Sequence, residues 1–462
     1  MSRAGRKVSI GGGQGFYGDT PGPAIEMAER GARLSYIGFD CLSELTLAIL
    51  EKQRRRDPSL GFALDILTLM PRLLPIARAR GIRLVTNAGG MNPLGARDAV
   101  MAIAKKLGLT GLTVAVVTGD DLRDRIDELF AAGHPLEHLD SGRPLAGDPA
   151  KERLVNANAY LGADVVRRAL DTGADVVITG RVTDSALFLG PLLHEFRWAA
   201  DDWDRVAQGI VCGHLLECAG QVVGGNFASG WRDVTGLEEI GYPIAEVEED
   251  GTFVLGKTPG SGGRVSFETV REQLLYEVHD PAHYLTPDVD ADFSTVRLED
   301  IGPDRVRVSG ATGRPRPGSL KVSIGYTDGW MAEAQMIFSW PDAVEKARRA
   351  AKLLERRLAR SGFAASELKT DLLGYDGLHG ALAHPVPDPN EVVLRVAART
   401  ADRAEAEKLF RELVPLALNG PPTGTGLAGG RGRPRELYAL WPALVAREVV
   451  ESGVRIETTV VA

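Results

Sequence analysis

Within nine residues, Gly213-His214-Leu215-Leu216-Glu217-Cys218-Ala219-Gly220-Gln221 carries an imidazole, a carboxylate, a thiol and an amide. In a helix, His214, Glu217, Cys218 and Gln221 stand at i, i+3, i+4 and i+7, on one face. Four such groups make a poor core unless they satisfy one another. A carboxylate beside an imidazole can orient it and raise its basicity, the arrangement acid–base catalysis uses. Cys218 next to a cationic ring could become a thiolate nucleophile. A buried polar network or a surface His–Glu pair would use the same residues.

Glu272-Gln273-Leu274-Leu275-Tyr276-Glu277 forms a second polar cluster, with Gln273, Tyr276 and Glu277 on one helical face. Pro281 interrupts the spacing between His279 and His283, so no metal site is expected there. Thr179-Gly180-Arg181-Val182-Thr183-Asp184 ends an apolar run with an arginine suited to holding a carboxylate or phosphate. Thr183 or Asp184 is placed to cap the helix that follows. Asn87 and Asn92, around Gly89-Gly90, offer neutral donors and acceptors, or serve only as turn residues. Asn156-Ala157-Asn158-Ala159-Tyr160 precedes a helical pattern, which makes one Asn an expected N-cap and Asn158 a binding candidate. Gly11-Gly12-Gly13-Gln14-Gly15 follows an apolar run directly and reads as a tight turn whose backbone N–H groups could face an anion. Phe16 stands where a dinucleotide fingerprint needs glycine, and the Lys-Ser/Thr pair of a P-loop is missing, so neither NAD nor FAD binding is indicated.

These residues need a scaffold. Five apolar runs each lead into a glycine-containing polar turn: Lys7–Ile10, Arg33–Ile37, Ile82–Thr86, Leu112–Val117 and Asp175–Ile178. Amphipathic stretches at Ala24–Arg30, Ile66–Arg80 and Asp98–Leu107 separate them. That rhythm predicts an α/β fold with a mainly parallel, Rossmann-like sheet and helices on both faces. Ligands in such folds sit at the carboxyl ends of the strands, where the candidate residues fall.

Beyond about residue 235 the pattern changes. A hairpin at Glu248–Phe253, strands at Asp304–Val308, Lys321–Tyr326, Glu333–Phe338, Glu391–Ala397 and Val454–Val461, and helices at Ala343–Arg360 and Ala401–Leu418 predict a mixed α+β layer. Two domains are therefore expected, residues 1–235 and 236–462, the second completing the site. Gly420–Gly432 is a glycine-rich loop.

Composition narrows the class. The 462 residues are 44% hydrophobic and 25% charged with a net charge of −8, which excludes rods, long disordered tails and extended nucleic-acid binding. The Arg54-Arg55-Arg56 run ends a helical stretch, where it suits the dipole. Three cysteines (Cys41, Cys212, Cys218) indicate a reducing compartment. The start of the chain carries no apolar signal segment, and no stretch is long and apolar enough to span a membrane. A cytoplasmic globular enzyme is expected, with a small-molecule substrate, and self-association or pathway enzymes as its protein partners.

Taken together and in order, Gly11–Gly15, Val85–Pro93, Asn156–Ala163, Thr179–Arg181 with Asp184, Gly213–Gln221 and Glu272–Glu277 resemble the acyclic terpene utilisation family, from the first strand to about residue 330 and more loosely beyond. The resemblance implies breakdown of citronellol- and geraniol-like compounds through branched acyl-CoA thioesters, or a broader acyl-CoA or organic-acid role. It carries no assignment of catalytic residues.

The resulting expectation is a hydratase, lyase or isomerase. His214 and Glu217 would form its acid–base pair, with Cys218, Asp184 and Tyr276 as further catalytic candidates. Arg181 would hold a carboxylate or phosphate, Asn87, Asn92 and Gln221 would stabilise an oxyanion, and Asn158 and Gln273 would contact substrate. Gly11, Gly12, Gly13 and Gln14 would face the pyrophosphate of a CoA moiety, and other cofactors stay open. A non-catalytic acyl-binding subunit and a phosphate- or nucleotide-dependent enzyme are the alternatives.

Overall fold

The computed structural model describes residues 6–422, 426–428, 430 and 432–462. The chain divides into two compact units, one built from residues up to Gly325 together with Leu440–Ala462, the other from Tyr326–Ala439. Residues 236–325, expected in a second domain, lie in the first unit.

The strands of the first unit are, in chain order, β1 (Lys7–Gln14), β2 (Tyr36–Phe39), β3 (Arg83–Thr86), β4 (Thr113–Thr118), β5 (Leu154–Ala159), β6 (Val176–Thr179), β7 (Pro243–Glu248), β8 (Phe253–Lys257), β9 (Tyr284–Leu285), β10 (Asp290–Asp292), β11 (Arg297–Gly302), β12 (Arg305–Ser309), β13 (Thr312–Arg314) and the start of β14 (Ser319–Ser339). β15 (Glu367–Leu373), β16 (Glu391–Thr400) and β17 (Gly426–Ala428) belong to the second unit, β18 (Arg435–Ala446) leads back, and β19 (Arg455–Val460) closes the first.

Ten of these strands form one sheet in the order β11-β12-β8-β7-β1-β2-β3-β6-β4-β19. The five strands foreseen from the apolar runs, β1, β2, β3, β6 and β4, are neighbours and parallel. The sheet as a whole is mixed, not mainly parallel, because every pairing outside that core is antiparallel. The physical reason is that the hairpins β7–β8 and β11–β12 extend the β1 edge through short turns instead of crossover helices, while at the other edge the distant β19 pairs antiparallel with β4.

Helices nevertheless cover both faces. A Cβ on Gly11 would meet Met27 of helix Gly22–Arg30, whereas one on the adjacent Gly12 would meet Leu216 of helix Trp203–Glu217. Successive strand residues point to opposite faces, so these helices lie on opposite sides of β1. The triple glycine is thus strand interior rather than a turn. Glycine is required there because Met27 Sδ and the Leu216 carbonyl oxygen come within 2.1 and 2.2 Å of where Cβ atoms would stand.

Two further expectations change. Asn156 and Asn158 lie inside β5 and are fully buried, and neither caps a helix: the helix Ala163–Asp171 begins after Gly162. Lys321–Tyr326 and Glu333–Phe338 are parts of a single strand, β14, which runs on between them although Gly329 takes φ +87°. The second unit arranges its strands as β15-β16-β14-β17, with helices Ala343–Arg360 and Arg403–Leu413 contributing Leu354, Leu358, Leu409 and Leu413 to an apolar core with Phe338 and Leu394. The loop expected at Gly420–Gly432 lies partly outside the described residues.

Candidate active site

A cavity of about 490 Å³ opens at the carboxyl ends of three parallel strands of the first unit. Gly15 and Tyr17 beyond β1, Asp40 and Ser43 beyond β2, and Arg181 and Asp184 beyond β6 form one side. Tyr276, Glu277, Tyr284 and Lys321 face them from segments of the same unit. Its size suits a small molecule or the acyl part of a larger one.

Helix Trp203–Glu217 ends at this cavity. Glu217 and Cys218 line it, while His214 sits one turn back, 1% exposed. His214 Nδ1 lies 2.8 Å from Glu217 Oε1, and Nε2 lies 3.0 Å from the backbone oxygen of Gln273. A carbonyl oxygen only accepts, so Nε2 carries a proton, and the second proton lies between Nδ1 and the carboxyl group. Phe293 and Tyr284 pack on the ring at 5.4 and 5.6 Å between centroids. Burial opposes the charged ring, but Glu217's charge and hydrogen bond and the Gln273 carbonyl outweigh it and hold His214 above its ordinary value. Burial raises Glu217, with Asp184 and Glu277 adding to it and His214 opposing. The pair therefore retains a proton that the two residues would release in water. Glu217, not His214, lines the cavity.

Asp40 is the second buried carboxyl group. Asn87 Nδ2 donates to its Oδ1 at 2.7 Å, while Asn87 Oδ1 accepts from the Cys41 N–H at 2.7 Å. Burial and then repulsion from Asp184 push Asp40 well above the usual carboxylate range, despite Arg181 and Asn87. Asn87 thus orients a cavity carboxyl without lining the cavity itself.

Arg181 is buried, with its Nη1 donating to Asp184 Oδ1 at 2.5 Å and to the Leu42 carbonyl at 3.1 Å. Its Nε is buried without a hydrogen-bond partner. Its backbone N–H donates to Asp120 Oδ2 at 2.8 Å, and Asn158 Nδ2 donates to the same oxygen at 2.9 Å. Asn156 Nδ2 in turn donates to Asn158 Oδ1 at 3.0 Å. Burial lifts Asp120 to about 6 against these bonds. Asn158 therefore fixes the strand end that carries Arg181. The helix after Asp184 has Ser185 at its N-cap without a side-chain cap bond, so neither Thr183 nor Asp184 caps it.

Tyr160 lies between two cations, the Arg181 guanidinium at 4.2 Å and the Lys321 ammonium at 4.8 Å from its ring centroid. Its hydroxyl donates to Glu44 Oε1, which also accepts from Lys321 Nζ at 3.1 Å. Burial alone would raise Glu44, yet the Tyr160 hydroxyl and the Lys321 charge hold it at about 2. Glu44, Lys321 and Tyr284 carried no local sequence signal. Asp40 and Tyr160 were visible only as the ends of apolar or Asn-containing stretches.

The remaining candidates divide between the cavity and other places. Cys218 borders the cavity, but burial and the charges of Glu217 and Asp40 push its thiol far up, against a thiolate. Tyr276 lines the rim and is 37% exposed. Gln273 stands behind His214, its Nε2 donating to the His214 backbone oxygen at 3.3 Å. Gln14 donates to Asp65 Oδ2 at 2.6 Å, and Asn92 caps helix Pro93–Lys106 by accepting from Gly95 N–H at 3.0 Å. Gln221 lies in the turn Ala219–Val223, and neither it, Gln14, Asn92 nor Gly11–Gly13 lines the cavity. Among the described residues no group of His, Cys, Asp and Glu side chains could hold a metal ion, and no helix is long and apolar enough to cross a membrane.

No curated protein and no solved structure matches the chain. Residues 8–456, nearly the whole length, match the acyclic terpene utilisation family protein AtuA. The strand ends, the buried Asn87 and Arg181, and the His214–Glu217 pair all lie within that match, and the chain belongs to the acyclic terpene utilisation (AtuA) family.

Proposed function

We propose that the chain is a catabolic enzyme of hydratase, lyase or isomerase type acting on a branched acyl-CoA or a related carboxylic acid. Family membership suggests the catabolic role. The observation that carries the chemistry is the 2.8 Å His214–Glu217 contact with Glu217 facing the cavity. In its ion-paired form Glu217 is a carboxylate that accepts a proton from a substrate carbon, with the imidazolium balancing its charge. In the neutral form it donates one back. A carboxyl group raised in this way is matched to proton transfer near neutrality.

Asp40, held protonated by burial, donates a hydrogen bond to a substrate carbonyl oxygen as negative charge develops there. Arg181 supplies positive charge beside it. Arg181 and Lys321 are both already paired with carboxylates, which favours a neutral thioester or acyl group in the cavity over a polyphosphate.

Thermal-shift measurements with isobutyryl-CoA, isobutyric acid and ATP test the ligand class, with stabilisation expected from the thioester or the acid. Glu217→Gln should keep that binding and lose turnover by at least about a hundredfold. Stabilisation by ATP alone, or unchanged kcat in the variant, would refute the proposal.

A further inference from the structure

A second cavity of the first unit, of about 290 Å³, lies beside the first, and Leu320 lines both. Four arginines from three separate parts of the chain surround it: Arg167 and Arg168 on helix Ala163–Asp171, Arg316 before β14, and Arg447 on helix Arg447–Glu451. In a chain of net charge −8, four guanidiniums at one cavity are a departure from the mean.

The acids at this cavity are already engaged. Asp164 accepts from Arg167 Nη2 at 2.6 Å, and Glu451 accepts from Arg447 Nη1 at 2.8 Å. Both Asp288 oxygens accept from the Ala163 N–H, at 2.9 and 3.0 Å. Arg447 also donates to the Pro287 and Pro317 carbonyls, which fixes the wall near Leu320. Among the described residues the side chains of Arg168 and Arg316 have neither a contact ion pair nor a hydrogen bond, although the Arg316 charge acts on Asp288. The same lining includes apolar residues, with Trp198 7% exposed and Val165, Leu193 and Val206.

We infer that this cavity binds a phosphate-bearing organic molecule, its phosphate between Arg168 and Arg316 and its aromatic or apolar body against Trp198. Two unpaired guanidiniums on different segments suit a dianion with three exposed oxygens. A carboxylate would be satisfied by one fork. The indole and aliphatic side chains of the same lining supply the contact that an inorganic ion would not use. The inference needs nothing from Glu217 and extends beyond the proposed reaction.

Calorimetric titration of the full chain with phenyl phosphate, benzoate and inorganic phosphate tests it. Phenyl phosphate should bind more tightly than either of the others. Arg168→Glu/Arg316→Glu should weaken it at least about tenfold, and Glu217→Gln should leave it unchanged. Thermal melts of the ligand-free double variant, or the milder Arg168→Gln/Arg316→Gln pair, separate lost binding from lost folding. Benzoate binding as tightly as phenyl phosphate, equal affinity in a folded double variant, or no saturable binding to the parent chain would each overturn the inference.

Discussion

The His214–Glu217 pair gives stability a pH dependence that one substitution should reverse. Both groups have raised values in the folded chain, His214 from 6.5 and Glu217 from 4.5, so the folded state holds more protons than the unfolded one. Stability from His214 is then complete below its unfolded value of 6.5 and that from Glu217 below 4.5, and each is lost as pH rises through the folded value. One retained proton corresponds to a loss of about 1.4 kcal/mol per pH unit. In Glu217→Gln the introduced amide can donate to Nδ1 of a neutral ring, and Nε2 keeps its bond to Gln273. Burial then dominates and pushes His214 down. Stability from the ring now rises with pH towards about 6.5 and is flat beyond it. Asp120 and Asp288, both lifted to about 6 by burial, contribute alike to parent and variant, so the difference between them reports the pair together with Asp40, which Glu217's charge also raises. Urea unfolding at half-unit steps from pH 5.5 to 8.5 measures it. Above about pH 6.5 the parent should lose stability relative to the variant, with a slope of at most about 1.4 kcal/mol per pH unit. Parallel stability curves across that range would show that the pair does not retain the proton, and the acid–base reading of Glu217 would fail with it.

Other perturbations follow from individual contacts. Gly12→Ala sets a methyl 2.2 Å from the Leu216 carbonyl oxygen inside β1 and should cost about 1–3 kcal/mol or more in chemical denaturation, whereas Gly318→Ala, with no atom within 4 Å, should be near neutral. Asn87→Ala orphans the Cys41 N–H and leaves the buried Asp40 carboxyl group only its bond from the Leu42 N–H, so a loss of about 1–3 kcal/mol should appear in urea unfolding, and a near-neutral result would deny Asn87 its positioning role. Cys218, although partly exposed, should alkylate with iodoacetamide at neutral pH far more slowly than free cysteine, because its thiol stays protonated. A rate equal to that of free cysteine would revive it as a nucleophile.

Much of the scaffold was legible because periodicity reports burial. The β-branched runs gave the parallel core of the sheet, and helix Ala343–Arg360 was read to the residue. The errors have local causes. β5 was hidden because its buried side chains include Asn156 and Asn158, whose amides pair with each other and with Asp120 instead of with water. The Gly11–Gly13 run looked like a turn because nothing in it shows that Met27 and Leu216 press on the strand from either side. Helical spacing placed His214 and Glu217 on one face but could not tell which end of that face meets open space. Glu44 and Lys321 lie far apart in sequence and meet only when β14 passes Tyr160, whose N–H donates to the Lys321 carbonyl at 2.9 Å.

The pairing of β19 with β4 sets the order in which the molecule can be completed during translation. When Thr113–Thr118 leaves the ribosome neither neighbour has been made; β6 follows soon after, but β19 is synthesised only after the whole of residues 326–439. The nascent chain must therefore carry an open β edge through most of its elongation, a state in which pairing with another chain is the chief hazard. A ribosome stalled before Arg455 would leave that edge uncapped even if all of the residues around the cavity had already emerged.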